Sequence, residues 1–392
     1  MTPRKIKISC YTLEGLNSFA TVLYFYYLYF FMQDRFGFDD KHNLAFASLL
    51  GFIYIFVAWQ AGKFAQRRGY FNALKLGFGV MAVSLAAAWL LHSAVAQVLA
   101  ASFVTLGMCF IWPTLEALVS DGETAADLPR AVGTYNVVWA ATNAAAYFIG
   151  GALKHAFGYR IIFILPLGIV LLQLALTFWL QRHATELARA ALNQPVTTPP
   201  PEPHRPASPQ AKAFLRMAWL SNPFAYVAIQ TLVAVMPGIA AKFQLSTMMA
   251  GFVCSLWCFV RLGAFAVLWH WTAWHYRFRW LAASFVLLIL SFATILIAPD
   301  LAALIVAQIF FGGAIGLIYY SSLFYSMDAG DTKGEHGGLH EAAIGIGNCV
   351  GPAIGALSLQ FLPGIPNSGA IAVSVLLLGG FGGLLAIWKT AR

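Results

Sequence analysis

Charge is what this sequence has least of. Only 10% of its 392 residues are Asp, Glu, Lys or Arg, against roughly 25% in soluble domains. So little charge cannot cover a surface that faces water, which excludes soluble enzymes, disordered chains and secreted disulfide scaffolds. Acidic residues are scarcer than basic ones, 15 against 24, leaving a net charge of +9. In a soluble protein that excess would suggest nucleic-acid binding; here basic loops on one side of a membrane account for it, and no nucleic-acid partner is expected. The five cysteines are Cys10, Cys109, Cys254, Cys258 and Cys349. They lie in apolar runs or at the start of one, and none has metal-ligand spacing with a histidine, so neither a disulfide framework nor a metal site is indicated. No Gly-x-Ser-x-Gly turn, nucleotide loop or His/Asp metal motif is present, so neither an enzyme nor a cofactor is expected. The basic Arg4, Lys5 and Lys7 are followed by no short apolar core with a small-residue cleavage site. They read as the approach to a first membrane span rather than a cleaved signal.

Apolar sequence is abundant: 60% of residues are hydrophobic and mean hydropathy is +0.72. A membrane-spanning helix needs about 20 mostly apolar residues. Twelve runs qualify, roughly 8–32, 43–62, 73–92, 95–119, 130–152 and 160–181, then 217–241, 248–270, 279–298, 301–325, 339–361 and 368–388. Placing both termini in the cytoplasm puts 18 Lys and Arg on that side and 5 on the other, with Arg261 inside a span. That asymmetry predicts a multi-pass inner-membrane protein with both ends inside. Between spans six and seven, residues 183–213 carry Pro195, Pro199–Pro201, Pro203, Pro206 and Pro209. Proline blocks helix and favours extended, solvated chain. The predicted domains are therefore a six-helix bundle over 1–182, a Pro-rich cytoplasmic linker over 183–213, and a second bundle over 214–392.

The halves repeat at an offset of about 204–208 residues. Gly107–Asp121 matches Ala314–Asp328, pairing Trp112 with Tyr319, and Gly151–Ala152–Leu153 matches Gly355–Ala356–Leu357. Six-span parallel repeats build one class of secondary transporters, with a site near the midplane where the halves meet. Gly62-Lys63-Phe64-Ala65-Gln66-Arg67-Arg68-Gly69, between spans two and three, is similar to the loop signature of the major facilitator superfamily, with Gly62, Arg67 and Gly69 matching and Gln66 in place of the usual Asp. Span eleven carries Gly347-x-x-x-Gly351-Pro352-x-x-Gly355, similar to a glycine-proline motif often found in that family's fifth span. The resemblance covers the whole chain. It implies an all-α fold of twelve transmembrane helices in two pseudo-symmetric bundles, a gating role for Gly62, Arg67 and Gly69, alternating access, and a monomer. It also implies that Gly347, Gly351 and Gly355 sit at the moving interface. Spans one and seven lack the arginines by which organophosphate exchangers of the family hold phosphate, and span four lacks the arginine of its proton-coupled drug exporters.

Polarity divides the spans. Three, six, nine and twelve are almost uniformly apolar, as suits helices facing lipid. The others carry polar residues at helical spacing. The candidate substrate-binding residues are Asn17, Thr21 and Tyr24 in span one, Trp112 in span four, Asn136, Trp139 and Asn143 in span five, Tyr226 and Gln230 in span seven, Tyr319 in span ten and Asn348 in span eleven. The aromatic run Tyr24–Phe31 reads as an interfacial belt. Intramembrane ionisable groups mark function by default. Glu14, Glu116, Arg261 and Glu341 qualify as proton-coupling or charge-relay groups, with His340 beside Glu341. Enclosure at low dielectric favours the protonated form of a carboxyl group, the property a proton-coupling site needs. Glu14, heading a polar stripe, is the first choice, and an ion pair from Glu14 to Arg261 is one way to satisfy the arginine. The function expected is secondary transport of a small polar solute, driven by protons. The rivals are an uncoupled facilitator, an exporter of hydrophobic compounds, and a non-transporting scaffold, against which the polar stripes argue.

Overall fold

The structure is a computed structural model describing residues 3–124, 127–192, 208–329 and 335–391. Most of the Pro-rich run and the side chains of Asp328 and His340 lie outside the described residues. Every regular element described is helical: α1 (Pro3–Phe36), α2 (Asp40–Arg68), α3 (Tyr70–Leu90), α4 (Ala94–Ser120), α5 (Leu128–Phe157), α6 (Ile161–Leu192), α7 (Pro209–Lys242), α8 (Thr247–Cys254), α9 (Leu256–His270), α10 (Phe278–Ile297), α11 (Leu301–Ala329), α12 (Glu335–Phe361) and α13 (Ser368–Thr390). Helices α8 and α9 together make the eighth span. The chain thus crosses twelve times, in two bundles of six spans.

Local sequence sets the helix ends. Asp39, Ser93, Ser208 and Ser246 each accept a hydrogen bond from a main-chain N–H of the first turn of the helix that follows, satisfying one of its free donors. The turn between α2 and α3 is the single residue Gly69, at φ 89°, a left-handed conformation that favours glycine. The break between α8 and α9 falls at Ser255, whose hydroxyl donates to the Phe252 carbonyl. A hydroxyl competing for main-chain carbonyls in this way bends helices. The linker is shorter than its prolines suggest. Residues 183–192 continue α6 and 209–213 begin α7. The segment 183–192 is rich in Ala and Leu, which are good helix formers.

Ten of these spans are long and apolar enough to cross a membrane on composition alone; α1 and α5 fall outside that group. Both carry tyrosines and amides in place of aliphatic residues, and both are enclosed by other helices. At the periphery the reverse holds. Val83 on α3, Leu172 on α6, Leu290 on α10 and Val375 on α13 are all exposed large hydrophobics, as lipid-facing positions require.

The halves meet along two seams. Helix α2 packs on α12, and α5 packs on α8 and α9. A Cβ on Gly51 would run into the main chain of Asn348 and Cys349, and one on Gly345 into the main chain of Ile55. Gly355 abuts Leu44 of α2, but Gly347 and Gly351 face the Pro223 and Val227 carbonyls of α7, inside their own half. Only part of the span-eleven glycine motif therefore serves the contact between halves.

Candidate functional site

A cavity lies where the halves meet, lined by side chains of both. Both halves wall it. The first contributes Thr21, Trp112, Glu116, Trp139 and Asn143; the second contributes Tyr226, Gln230, Arg261, Tyr319, Glu341 and Asn348. The repeat-related pair Trp112 and Tyr319 both face it.

Four residues singled out from the sequence lie off the cavity wall. Asn17 is fully buried. Tyr24 packs edge-on against Phe25 and Phe163, toward α6. Asn136 donates to the Val132 carbonyl of its own helix at 2.8 Å. Glu14 is fully buried, accepting from the Ser18 hydroxyl at 2.7 Å and from the Tyr135 hydroxyl at 2.8 Å. Tyr135 itself faces the cavity, so one phenol separates the Glu14 carboxyl from that space. The Trp112 indole lies toward Glu14 without completing a hydrogen bond.

The other carboxyls stand on the wall. The Tyr54 hydroxyl donates to Glu341 Oε2 at 2.5 Å, joining the two halves. Glu116 is half-buried and within electrostatic range of both Glu14 and Glu341. Arg261 does not pair with Glu14. Its guanidinium carbon lies 4.3 Å from the Trp139 ring centre and 5.0 Å from that of Trp257. Cation–π contact with two indoles replaces the expected ion pair. Its Nε and Nη2 have no hydrogen-bond partner. Trp139, Tyr319 and Phe265 pack together across the halves as three near-parallel rings, with Trp139 and Tyr319 centred 5.3 Å apart, Tyr319 and Phe265 5.7 Å, and Trp139 and Phe265 6.4 Å.

At the end of the molecule remote from the termini, further bonds link the halves. Lys41 donates to Gln360 at 3.0 Å, Lys154 to Thr247 at 2.8 Å, and Gln230 to the Tyr29 hydroxyl at 3.2 Å. A Cβ on Gly151 would meet the main chain of Thr247. At the termini end, a second space opens among Arg130, Trp269, His270, His275 and Phe324. The Gly62, Arg67 and Gly69 motif also lies at that end, with Arg67 exposed and away from the cavity wall.

Several wall residues escaped the sequence reading. Tyr26 and Tyr29 face the cavity, while Tyr27 is buried and donates to the Tyr147 carbonyl; the aromatic run is an inner wall and not an interfacial belt. Tyr54 is a lone tyrosine in an apolar span. Tyr135 stands one residue before the chosen Asn136. A strict spacing of four through Tyr135, Trp139 and Asn143 would have found it. Among the described residues no group of His, Cys, Asp and Glu is arranged to hold a metal ion.

Solved structures share this fold at low identity. A mutant of the nucleoside transporter NupG aligns with TM-score 0.68 and 12% identity, over 99% of this chain and 100% of its own. A structure described for substrate recognition in proton-dependent oligopeptide transporters aligns with TM-score 0.71 and 14% identity, over 100% and 98%. The human organic anion transporter MFSD10 aligns with TM-score 0.67 and 14% identity, over the whole of both chains. No curated protein sequence matches. The sequence profile of the Major Facilitator Superfamily matches residues 88–355, more than half of the chain, and the chain belongs to that family of membrane transporters.

Proposed function

We propose that this chain is a secondary active transporter that moves a small polar organic solute by alternating access, coupled to protons. The observation that carries the reading is the central cavity: both halves wall it, it holds two carboxyls and an arginine without an ion pair, and a third carboxyl lies one phenol away. A scaffold with no solute to move has no use for buried charge, which is costly inside a membrane. Residues 1–182 and 214–392 form the two rocking bodies, joined by the Pro-rich segment between α6 and α7. The Lys and Arg asymmetry favours both termini in the cytoplasm of an inner membrane, so the bonded end faces outward and the second space inward. Glu14 holds the transported proton, reached from the cavity through Tyr135. Glu116 and Glu341 set the charge the solute meets. Gly69 fixes the tight turn that presents Arg67 at the inner gate.

The test is flux in proteoliposomes under an imposed pH gradient, comparing the wild type with Glu14→Gln over a panel of sugars, amino acids, carboxylates, nucleosides and lipophilic cations. Gradient-driven uptake that Glu14→Gln abolishes, with solute exchange retained, is the expected result. Flux indifferent to both the gradient and the substitution would mean an uncoupled facilitator. Absence of flux across the panel would mean a non-transporting scaffold.

A further inference from the structure

The cavity keeps opposite charges apart. Glu116, Glu341 and Arg261 all line it. Neither glutamate pairs with the arginine, and no ion pair among the described residues involves any of the three. Tyr226 and Tyr319 line the same cavity, within electrostatic reach of both the glutamates and the arginine. Ionisable side chains of opposite sign sharing a space inside a membrane ordinarily pair with one another. Here the stacking of Arg261 on Trp139 and Trp257 holds the guanidinium back, and the Tyr54 hydroxyl holds Glu341.

Each end is incomplete alone. Arg261 is 3% exposed, and two of its nitrogens lack any acceptor. A planar guanidinium fixed between rings presents a fork that matches a carboxylate. The Glu116 carboxyl has no hydrogen-bond donor among the described residues, and it lies within range of a second carboxyl. Two neighbouring carboxyls without a cation repel when both are ionised, and an ammonium group relieves that repulsion. A simple anion would satisfy Arg261 and meet two carboxyls; a simple amine would do the reverse.

We infer that the solute is a zwitterion whose ammonium faces Glu116 and Glu341 and whose carboxylate is held by Arg261. An apolar or aromatic body would fit the walls of Phe25, Tyr26 and Trp139. This rests on the reading of the cavity as the solute site. Because neither glutamate lies within ion-pair distance of Arg261, ends separated by more than one carbon suit the site better than adjacent ones.

The experiment uses the purified full chain in lipid nanodiscs and equilibrium binding of labelled phenylalanyl-glycine. The competitors are unlabelled phenylalanine, phenylalanyl-glycine amide, which lacks the carboxylate, and N-acetyl-phenylalanyl-glycine, which lacks the amine. The zwitterion is expected to bind at least about tenfold tighter than either blocked form, a difference of about 1.4 kcal/mol. Arg261→Gln is expected to erase the preference over the amide and leave the preference over the N-acetyl form. Glu116→Gln with Glu341→Gln should do the opposite, and Arg261→Lys should restore part of what Arg261→Gln loses. Equal binding of blocked and free forms by the wild type, or no binding of any, overturns the inference without relying on a variant. Selectivity that survives Arg261→Gln in protein that unfolds at the wild-type temperature overturns it as well. A zwitterion that binds but does not move in liposomes would sink the transport reading and leave this one standing. Flux of a neutral or purely anionic solute, with blocked and free forms binding alike, would do the reverse.

Discussion

The two seams between the halves are built differently. Along α2 and α12 the backbones touch. Gly51 and Gly345 leave no room for a side chain, and polar contacts run the length of the pair, from Lys41–Gln360 through Ser48–Cys349 to Tyr54–Glu341. Along α5 and α8–α9 the backbones touch only at the end remote from the termini, at Gly151 and Gly251. Rings fill the rest: Phe148 lies 4.6 Å from Phe252 and 5.6 Å from Phe259, followed by the Trp139–Tyr319–Phe265 stack. Beyond the stack the second space opens. A seam of main chain can only slide or rock as a unit, because glycine contacts have no rotamers to change. A seam of rings can re-pack by side-chain rotation. If the molecule alternates, the first seam is the pivot and the second is the one that parts.

The largest effect should come from the pivot. Gly51→Val puts a branched side chain against the main chain of Asn348 and Cys349, which cannot move aside. A loss of about 3 kcal/mol or more is expected, at the upper end for overpacking. Thermal unfolding in detergent and the monodisperse fraction on size exclusion measure it. Gly79→Ala, where a Cβ meets nothing, is the control and should lower neither. Wild-type stability in Gly51→Val would mean that this seam is looser than backbone contact.

Next comes the ring seam. Trp139→Ala removes a stacking partner of Tyr319 and the nearer of the two indoles on Arg261. Aromatic stacking and cation–π contact together are worth about 2 kcal/mol in a desolvated setting. Stability should fall by about that much and solute flux by at least about tenfold, whereas Trp139→Phe keeps a ring and should recover part of both. Equal flux in Trp139→Ala and the wild type would remove the stack from the working parts of the molecule.

Most of the architecture was legible because composition carries it. Twelve apolar runs, a proline-rich interruption and four spans without polar stripes are visible in any reading of the chain. The site was harder because one residue along a helix is a rotation of about 100°. Asn136 looks the better ligand, yet Tyr135 holds the cavity phase. Tyrosine adds a second difficulty, since its body is apolar and its tip polar. Within the single run Tyr24–Tyr29, Tyr24 packs toward α6, Tyr27 bonds a carbonyl, and Tyr26 and Tyr29 wall the cavity, with nothing in the spelling to separate them. The partners of Arg261 were hard to read for another reason. An arginine in a membrane needs something, and charge alone suggests a carboxylate. Trp257 stands four residues before Arg261 on the same helix, a spacing the sequence does show, but only the folded chain brings Trp139 of α5 to it.

The smaller effects grade the pivot along its length. Tyr54→Phe removes the hydroxyl that bonds Glu341 across the halves. A hydrogen bond to a carboxyl in a buried setting is worth about 1.5 kcal/mol or somewhat more, so stability should drop by that amount. A cycle with Glu341→Gln should show strong coupling between the two positions. Ser48→Ala breaks only a 3.7 Å contact from hydroxyl to thiol, and about 0.5 kcal/mol or less is expected for so weak a bond. Lys41→Ala breaks a bond that lies in the open at the end of the seam, where water replaces it and the change should be near zero. The order Tyr54, Ser48, Lys41 therefore follows burial and not bond length, since the Lys41 bond at 3.0 Å is much shorter than the Ser48 contact at 3.7 Å. Thermal unfolding of the three single variants reads that order directly. A Lys41→Ala loss larger than that of Tyr54→Phe would move the anchor of the pivot from the cavity to the outer rim.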